Sequence, residues 1–414
     1  MDAKFSRFMN KTLPCTGLAL AMVGMLAALA DPAHAGNRNC RNTGSFDAFM
    51  RDFKRKARAE GVSQRTIRRA IGNVRFAPDV IRRDRRQSFF ALSFNKFSRR
   101  LISNYRMRAG KRQMKKHARW FRMARERYGV PGPVITAFWA LESDFGVGMG
   151  KLRILRSLAT LAYDCRRPEI FRPELMAALK IIDRGDMTPS TMIGSWAGEI
   201  GQTQFLPSHY LNHAIDFNRD GRRDLMRSPA DVIGSTANFI QHLGWRRGEP
   251  WLQEVSVPRR MPWREADLAI RHPRSQWAKW GVRLRSGRAL PRDGAPASLL
   301  LPMGRNGPAF LAYENFRIYL KWNQSLIYAI TAAHFATRLN GAPAARKARR
   351  GANVTDFSLE QIKRLQRRLK RRGYDVGDVD GKLGAKSRAA VKAMQLRLGL
   401  PADSYPSRAL MNRL

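Results

Sequence analysis

The amino-acid sequence predicts a mainly α-helical protein with a small β-containing insertion and a second, small three-helix domain. Apolar residues recur at helical spacing through residues 46–340, and a stretch with Pro, Gly and scattered Val and Leu interrupts them at 250–312. Helical spacing resumes at 357–414. Periodicity near 3.6 residues indicates amphipathic helices, whereas Pro and Gly favour short strands and loops.

Residues 1–35 predict a secretory signal peptide. A basic start is followed by an apolar run at 18–30 and by the small-residue site Ala33-His34-Ala35. The run is shorter than the roughly 20 residues that span a bilayer, so an uncleaved anchor is the weaker alternative. No cysteine follows the run in a lipidation context. We expect a soluble protein exported to the periplasm that is not a lipoprotein.

The composition is strongly basic, with 77 Lys and Arg residues against 32 acidic ones and a net charge of +45. Such a charge attracts polyanions, which for an exported protein are cell wall, lipid head groups and anionic polysaccharide. No nucleic-acid recognition motif accompanies the charge, so we expect no nucleic-acid partner. Removal of the leader leaves Cys40 and Cys165, which in an oxidising compartment either pair or stay apart.

Glu142 is the strongest catalytic candidate. It closes the apolar run 134–141 and precedes Ser143-Asp144-Phe145-Gly146, so it lies at the C-terminal end of a predicted buried helix. The helix dipole and desolvation both disfavour a charged carboxylate there, so we expect a raised pKa. A protonated carboxyl group near neutral pH can donate a proton to a leaving oxygen. The alternative is a structural glutamate paired with an arginine.

Four segments in order resemble the membrane-bound lytic murein transglycosylase B family over roughly residues 46–340. They are Ala137 to Gly146, Ser195 to Ser208, Asp216 to Asn238, and Asn315 to Ala329. The resemblance implies a lysozyme-like catalytic domain and a periplasmic enzyme that cleaves the MurNAc-GlcNAc β-1,4 bond of peptidoglycan. The product would carry 1,6-anhydro-muramyl ends.

The resemblance also implies residue roles. Glu142 would be the single catalytic acid and base, while Ser195 and Gln204 would line the sugar site and Asn323 and Tyr328 would face the substrate. Amide and hydroxyl groups suit the orientation of N-acetyl sugars, but each of these polar residues taken singly also fits ordinary capping or turn chemistry. Glycoside hydrolysis usually takes two carboxylates, whereas an attack by the sugar's own 6-hydroxyl needs no activated water.

The chain departs from the family at three positions. Glu199-Ile200 replaces a common Ala-Met, so Glu199 is either a second carboxylate near the site or a solvent-facing residue. Phe97 is the nearest match to an upstream tyrosine of the family, and Trp322 stands where tyrosine is common. These departures bear on substrate contacts rather than on the reaction.

The segment Asp216-Phe217-Asn218-Arg219-Asp220-Gly221 matches the first half of a calcium loop. Position 12 is Arg227, so the usual bidentate glutamate is missing, and the resemblance implies that Asp231 closes the site instead. The metal set would be Asp216, Asn218, Asp220 and Asp231, with Ca²⁺ in a structural role and no cofactor required for the reaction. An Asx-rich turn without metal is the alternative.

Residues 341–356 are rich in Ala, Gly, Arg and Lys without a core pattern and predict a linker. Residues 357–414 resemble the small three-helix peptidoglycan-binding domain, although Asp403-Ser404-Tyr405 replaces its usual Asp-Gly. The alternative for this segment is a plain helical dimerisation module. We expect a monomer whose partners are peptidoglycan glycan strands and the cell-wall synthesis or assembly machinery.

The function classes are ordered by these observations. A lytic transglycosylase is the leading hypothesis. A hydrolytic muramidase of the lysozyme type comes second, and a non-catalytic peptidoglycan-binding protein comes third.

Overall fold

The computed structural model of the protein describes residues 40–85 and 92–414, so the predicted leader lies outside the described residues. Within them, helices dominate, as the sequence predicts. The helices of the larger domain are α1 Phe46–Ala59, α2 Gln64–Ile71, α3 Pro78–Arg85, α4 Phe94–Leu101, α5 Asn104–Lys116, α6 Ala118–Tyr128, α7 Gly132–Ser143, α8 Ile154–Tyr163, α9 Pro168–Asp183, α10 Pro207–His213, α11 Pro229–His242, α12 Arg274–Lys279, α13 Phe316–Trp322 and α14 Leu326–Leu339. None of the helices in the described ranges is long and apolar enough to cross a membrane.

Helix α7 forms the centre of the larger domain. Every side chain from Val134 to Ser143 is buried, as the uninterrupted apolar run predicts for a helix that faces no solvent. It packs against α5, α6, α11 and α14. Because neighbouring helices surround it, the residue at its C-terminal end is placed inside the protein rather than on its surface.

The strands of the larger domain are β1 Leu152–Arg153, β2 Ile193–Gly194, β3 Leu252–Ser256, β4 His272–Pro273, β5 Arg283–Leu284, β6 Pro296–Leu300 and β7 Ala309–Ala312. The predicted β-containing insertion is a five-stranded antiparallel sheet with the order β4-β6-β7-β3-β5. Successive side chains of its central strands enter different cores: Leu299 and Leu311 pack with Trp277 of α12, while Leu300 and Phe310 join the main helical core. This alternation follows the two-residue period of a strand.

The C-terminal domain contains the three predicted helices, α15 Leu359–Arg371, α16 Ala385–Arg397 and α17 Arg408–Arg413. Ser358 and Gln361 form a capping box at the start of α15, which satisfies two backbone N–H groups. The buried Gln366 side chain bonds to the turn before α16, where its Oε1 accepts from the Gly381 N–H at 2.8 Å. The small apolar core therefore closes around one satisfied polar group.

Residues 341–356 contain no helix or strand, yet they are hydrogen-bonded to the larger domain. The Ala345 N–H donates to His334 Nε2 at 3.0 Å, and the Arg346 N–H donates to Glu254 Oε1 at 2.8 Å. The C-terminal domain also contacts the larger domain directly, through the ion pairs of Lys392 with Asp267 at 2.8 Å and of Arg305 with Asp403 at 3.3 Å. The Asp403-Ser404-Tyr405 departure thus lies at this contact.

Cys40 and Cys165 form a disulfide, which resolves the alternative that the sequence left open. The bond joins the start of the described chain to the segment between α8 and α9. The Cys165 N–H also donates to Asn42 Oδ1 at 2.8 Å, so the two segments are held by a second contact.

Candidate active site

Glu142 lies in the last turn of α7 and is only 1% exposed. Its Oε1 accepts a hydrogen bond from the Trp322 indole N–H at 2.9 Å and another from the Tyr328 hydroxyl. Its Oε2 is also buried but makes no hydrogen bond to any residue that the structure describes. One carboxyl oxygen is therefore held in place, and the other has no protein partner in the described chain.

The environment favours the protonated form of this carboxyl group. Burial is the largest cause that raises the pKa of Glu142 from 4.5 to about 8. The hydrogen bonds from Tyr328 and Trp322 act in the opposite direction, because they stabilise the charged form, while the negative charge of Glu199 adds to the increase. The expected rise in pKa is present, and desolvation is its main cause.

The contact between Trp322 and Glu142 was not apparent from the sequence. Its ring is fully buried, stacks on Phe138 at 4.2 Å and contacts Phe205 and Phe239 at 5.9 Å and 5.5 Å between ring centroids. This packing fixes the indole N–H that donates to Glu142. The tyrosine common in the family at this position is thus replaced by another ring with one hydrogen-bond donor. Phe97, the other aromatic departure, is buried in the main core.

Ser195 and Glu199 are joined to each other next to this site. The Ser195 hydroxyl donates to Glu199 Oε2 at 2.8 Å and accepts from the Glu199 N–H at 3.1 Å. Glu199 is fully buried, so the solvent-facing interpretation of this residue is wrong. It is instead a second buried carboxylate whose charge acts on Glu142.

Gln204 and Asn323 are buried and engaged in local hydrogen bonds. Gln204 Nε2 donates to the Gly201 carbonyl at 2.8 Å and to the Met149 carbonyl at 3.4 Å, which links its loop to the loop after Glu142. Asn323 Oδ1 accepts from the Ser325 N–H at 2.9 Å before α14 begins. The structure thus brings Tyr328 into direct contact with Glu142 and places Asn323 beside Trp322, while sugar contacts by Gln204 and Asn323 stay predictions.

The turn after Glu142 has an unusual backbone. Asp144, Phe145 and Gly146 all have positive φ angles, of 50°, 61° and 93°, a region that costs energy for residues other than glycine. Arg106 holds this turn through a bidentate pair with Asp144, at 2.5 Å and 2.8 Å. A Cβ atom at Gly146 would lie 2.8 Å from the Gln202 side chain, so glycine is required there. No pattern in the sequence indicated the Arg106–Asp144 pair.

The predicted calcium loop brings its carboxylates together. Oxygens of Asp216, Asp220 and Asp231 lie within 4.8 Å of one another, and Asp231 is fully buried. Asn218 donates its amide group to Asp220 Oδ2 at 2.8 Å, which keeps it in the same cluster. Burial is the main cause of a raised pKa at Asp231. A cluster of hard oxygen ligands fits Ca²⁺, which takes six to eight of them.

Two protein-family models match separate parts of the chain. Residues 45–337 match the family described as Transglycosylase SLT domain, and residues 358–414 match a peptidoglycan binding domain family. The membrane-bound lytic murein transglycosylase B of Escherichia coli strain K12 is 33% identical over 204 residues. That match covers 49% of this chain and 55% of the relative, so the chain spans about half the length of this curated relative.

Two solved structures extend the comparison. SltB3 from Pseudomonas aeruginosa, in complex with NAG-anhNAM-pentapeptide, is 41% identical with a TM-score of 0.82, covering 90% of this chain and 99% of that one. The Escherichia coli lytic transglycosylase Slt35 in complex with calcium is 25% identical with a TM-score of 0.62, covering 76% of this chain and 98% of that one. The chain therefore belongs to the transglycosylase SLT domain family and carries a peptidoglycan-binding domain at its C-terminal end.

Proposed function

We propose that this protein is a peptidoglycan lytic transglycosylase in which Glu142 serves first as acid and then as base. The observation that carries the proposal is the Glu142 carboxyl group: buried, with a pKa of about 8, and with Oε2 free of protein hydrogen bonds in the described chain. A carboxyl group of this kind is protonated near neutral pH and can give its proton to a bound oxygen.

The reaction uses the Glu142 carboxyl group twice, with two different protons. Glu142 donates its proton to the oxygen that links MurNAc to GlcNAc, and the bond from the anomeric carbon to this oxygen breaks. The resulting carboxylate takes the proton of the muramyl 6-hydroxyl, whose oxygen bonds to the anomeric carbon and closes a 1,6-anhydro ring. Glu142 is protonated again at the end, and no water is consumed.

The hydrogen bonds at Oε1 support both stages. Tyr328 and Trp322 stabilise the charged form of Glu142, so they oppose burial and keep the pKa within reach of neutral pH. Without them burial alone would hold the proton more tightly, and donation would be harder. Burial and hydrogen bonding together thus suit a group that both gives and takes a proton.

Glu199 is the basis of the alternative, a muramidase that hydrolyses the same bond with a second carboxylate. Its Oε2 accepts a hydrogen bond from Ser195, and its side chain is fully buried. Glu142 Oε2, by contrast, has no hydrogen-bond partner among the described residues, so Glu142 is the better placed of the two carboxyl groups to act alone, as the transglycosylase requires.

Mass spectrometry of digested peptidoglycan tests the choice. We expect products that end in 1,6-anhydro-muramic acid, one water lighter than the products of hydrolysis, from the wild type and from Glu199→Gln alike. Reducing muramic ends that disappear in Glu199→Gln would show that the protein is a hydrolase.

The Asp216 loop is proposed to hold a structural Ca²⁺. Three carboxylates in one cluster and the calcium complex of the relative Slt35 support this assignment. Asp216, Asp220 and Asp231 would supply carboxylate oxygens, and Asn218 its amide oxygen. The ion would neutralise negative charges that otherwise repel one another, so its contribution is to stability rather than to the reaction.

The remaining proposals concern location and attachment. Residues 1–35 would export the protein to the periplasm, where it would be a monomer without a lipid anchor. N-terminal sequencing of the mature protein would check removal of these residues.

The domain at 358–414 would bind the glycan strands of the wall. A chain that ends at Asn340 should then sediment less with purified peptidoglycan, and equal sedimentation would argue against this role.

A further inference from the structure

A pocket of about 500 Å³ lies between helices α1 and α2, and its volume is in the range of small-molecule sites. Four of the seven residues in its wall are basic. The wall consists of Lys54, Arg55, Arg58, Gln64, Ile67, Arg68 and Gly72. Helices α1 and α2 pack against α8 and α9, and no residue that bonds to the Glu142 carboxyl group lines the pocket. The pocket is therefore separate from the candidate active site.

The helical period explains why these polar residues meet. Lys54 and Arg58 are four residues apart on α1, so they lie on one face of that helix. Gln64 and Arg68 have the same spacing on α2. The two helices pack against each other, and both of these faces border the pocket. Two helix faces thus present positive charge to one shared space.

Few negative charges balance this part of the chain. Residues 46–75 contain nine basic residues and three acidic ones. Asp52 pairs with Arg55 at 2.7 Å, and Glu60 pairs with two lysines that do not line the pocket. The third acidic residue, Asp47, lies in the first turn of α1 and is also absent from the wall. Arg55 is therefore the one basic residue of the wall that pairs with a carboxylate of the described chain.

The other three basic residues of the wall have neutral partners or none. The Lys54 ammonium group donates to the Gly72 carbonyl at 3.0 Å, and the Arg58 guanidinium group donates to Gln64 Oε1. The Arg68 side chain makes no hydrogen bond or ion pair with any residue that the structure describes. An ammonium group has three donors and a guanidinium group has five, so most donors at the pocket are left for solvent or a ligand.

The chemistry of these cations favours a phosphate ligand. Arg58 and Arg68 are exposed and Lys54 is half-buried, so a ligand can reach all three. Like charges four residues apart on a helix repel each other, so an anion beside Lys54 and Arg58 would relieve a repulsion. Guanidinium groups match phosphate oxygens in bidentate geometry, and an ammonium group adds a point charge. Three cations without a carboxylate suit a group that carries more than one negative charge.

We propose that this pocket binds a diphosphate group or a pair of phosphate esters, with Arg58, Arg68 and Lys54 as its donors. Two sources present this chemistry, a soluble phosphate compound and a lipid head group that carries two phosphates. Such a site would attach the protein to a phosphate-bearing molecule, and its occupation does not depend on the reaction proposed for Glu142.

Isothermal titration with inorganic pyrophosphate tests the site. We expect the wild type to bind, and an Arg58→Gln, Arg68→Gln double variant to bind at least about tenfold more weakly, because two charge-assisted contacts are lost. Arg65→Gln, Arg69→Gln is the matched control, since it removes the same charge from exposed arginines of α2 that do not line the pocket. At about 0.15 M salt, where charges are screened beyond about 8 Å, this control should bind within about twofold of the wild type.

Sedimentation with phosphatidylcholine vesicles, with and without cardiolipin, distinguishes the two sources. For a lipid head group, the wild type and the control should sediment with the cardiolipin vesicles, the pocket variant should sediment less, and pyrophosphate should release the protein. For a soluble ligand, the two double variants should sediment alike although they differ in pyrophosphate binding.

All four substitutions change exposed side chains, and circular dichroism checks that both double variants fold. Equal loss of pyrophosphate binding in the two double variants would mean that the general basic charge attracts the anion, and it would overturn the proposed site. Absence of binding to the wild type at millimolar pyrophosphate would overturn it as well.

Discussion

Two buried glutamates of the larger domain, Glu142 on α7 and Glu174 on α9, differ in how their oxygens are satisfied. Glu174 is 3% exposed, and both of its oxygens accept from Ser208, one from the hydroxyl at 2.7 Å and one from the N–H at 2.8 Å. Glu142 is as deeply buried, but only its Oε1 is bonded in the described chain. Burial raises the pKa of both carboxyl groups. What sets Glu142 apart is an oxygen without a hydrogen-bond partner among the described residues.

The largest expected effect tests this difference directly. Glu142→Gln keeps the shape of the side chain but can neither donate nor accept the proton, so peptidoglycan cleavage should fall by about a thousandfold or more. Glu174→Gln is the matched control and should keep most of the activity. The measurement is the rate of release of soluble muropeptides, with circular dichroism to show that both variants fold. Comparable losses of activity in the two variants would contradict the proposed difference between Glu142 and Glu174.

The next prediction concerns the oxygen of Glu142 that is bonded. Tyr328→Phe removes a hydrogen bond that lowers the pKa of Glu142, so this pKa should rise. The alkaline limb of the pH–rate profile should move to higher pH, and the maximal rate should fall about 10- to 100-fold, because the carboxylate is less stabilised.

Tyr319→Phe is the control for that profile. Tyr319 is also fully buried and stacks on Phe138, but its hydroxyl has no hydrogen-bond partner in the described chain. The alkaline limb of the pH–rate profile of Tyr319→Phe should coincide with that of the wild type. If Tyr328→Phe also leaves the limb in place, the titration of another group sets the profile.

A smaller effect is expected on stability. The folded-state pKa of Glu142 lies above its ordinary value, at about 8 against 4.5, so the native state holds a proton that the unfolded chain has lost between these pH values. The wild type should therefore lose stability as pH rises through this window, by at most about 1.4 kcal/mol per pH unit. Glu142→Gln lacks this loss, so urea unfolding should show its advantage growing from pH 4.5 to 8. An advantage that does not change with pH would mean that Glu142 is ionised at neutral pH.

The smallest expected effect is that of calcium on thermal stability. The proposed calcium site contains a third buried carboxylate, Asp231, whose oxygens already accept from the Phe217 and Asp224 N–H groups at 2.8 Å and 3.0 Å. Calcium should raise the melting temperature of chelator-treated protein by a few degrees, as a ligand of the native state does, at roughly 2–4 °C per kcal/mol for a large domain. An Asp216→Asn, Asp220→Asn double variant should lose the shift. An equal shift in the double variant, measured by differential scanning calorimetry, would place the ion elsewhere.

The sequence predicted the helix that carries Glu142 and the direction of its pKa, because both depend on one local apolar run. It also predicted the β-containing insertion, but not the strand order, since β4 and β5 have only two residues each and carry little periodic signal.

Contacts between segments that are far apart in the sequence could not be predicted from local patterns. Trp322 lies 180 residues from Glu142, and the Arg106–Asp144 pair joins residues 38 apart. Whether Glu199 faces solvent depended on the fold of its loop, which no spacing rule fixes.

The disulfide between Cys40 and Cys165 makes the stability of the protein depend on the redox state of its surroundings. It closes a loop of 125 residues, for which chain-entropy arguments give a stabilisation of about 4–5 kcal/mol. In a reducing cytoplasm the two thiols would stay unpaired, and this contribution would be missing. Under the proposed export, the newly made chain would therefore gain this stability only after it reaches an oxidising compartment.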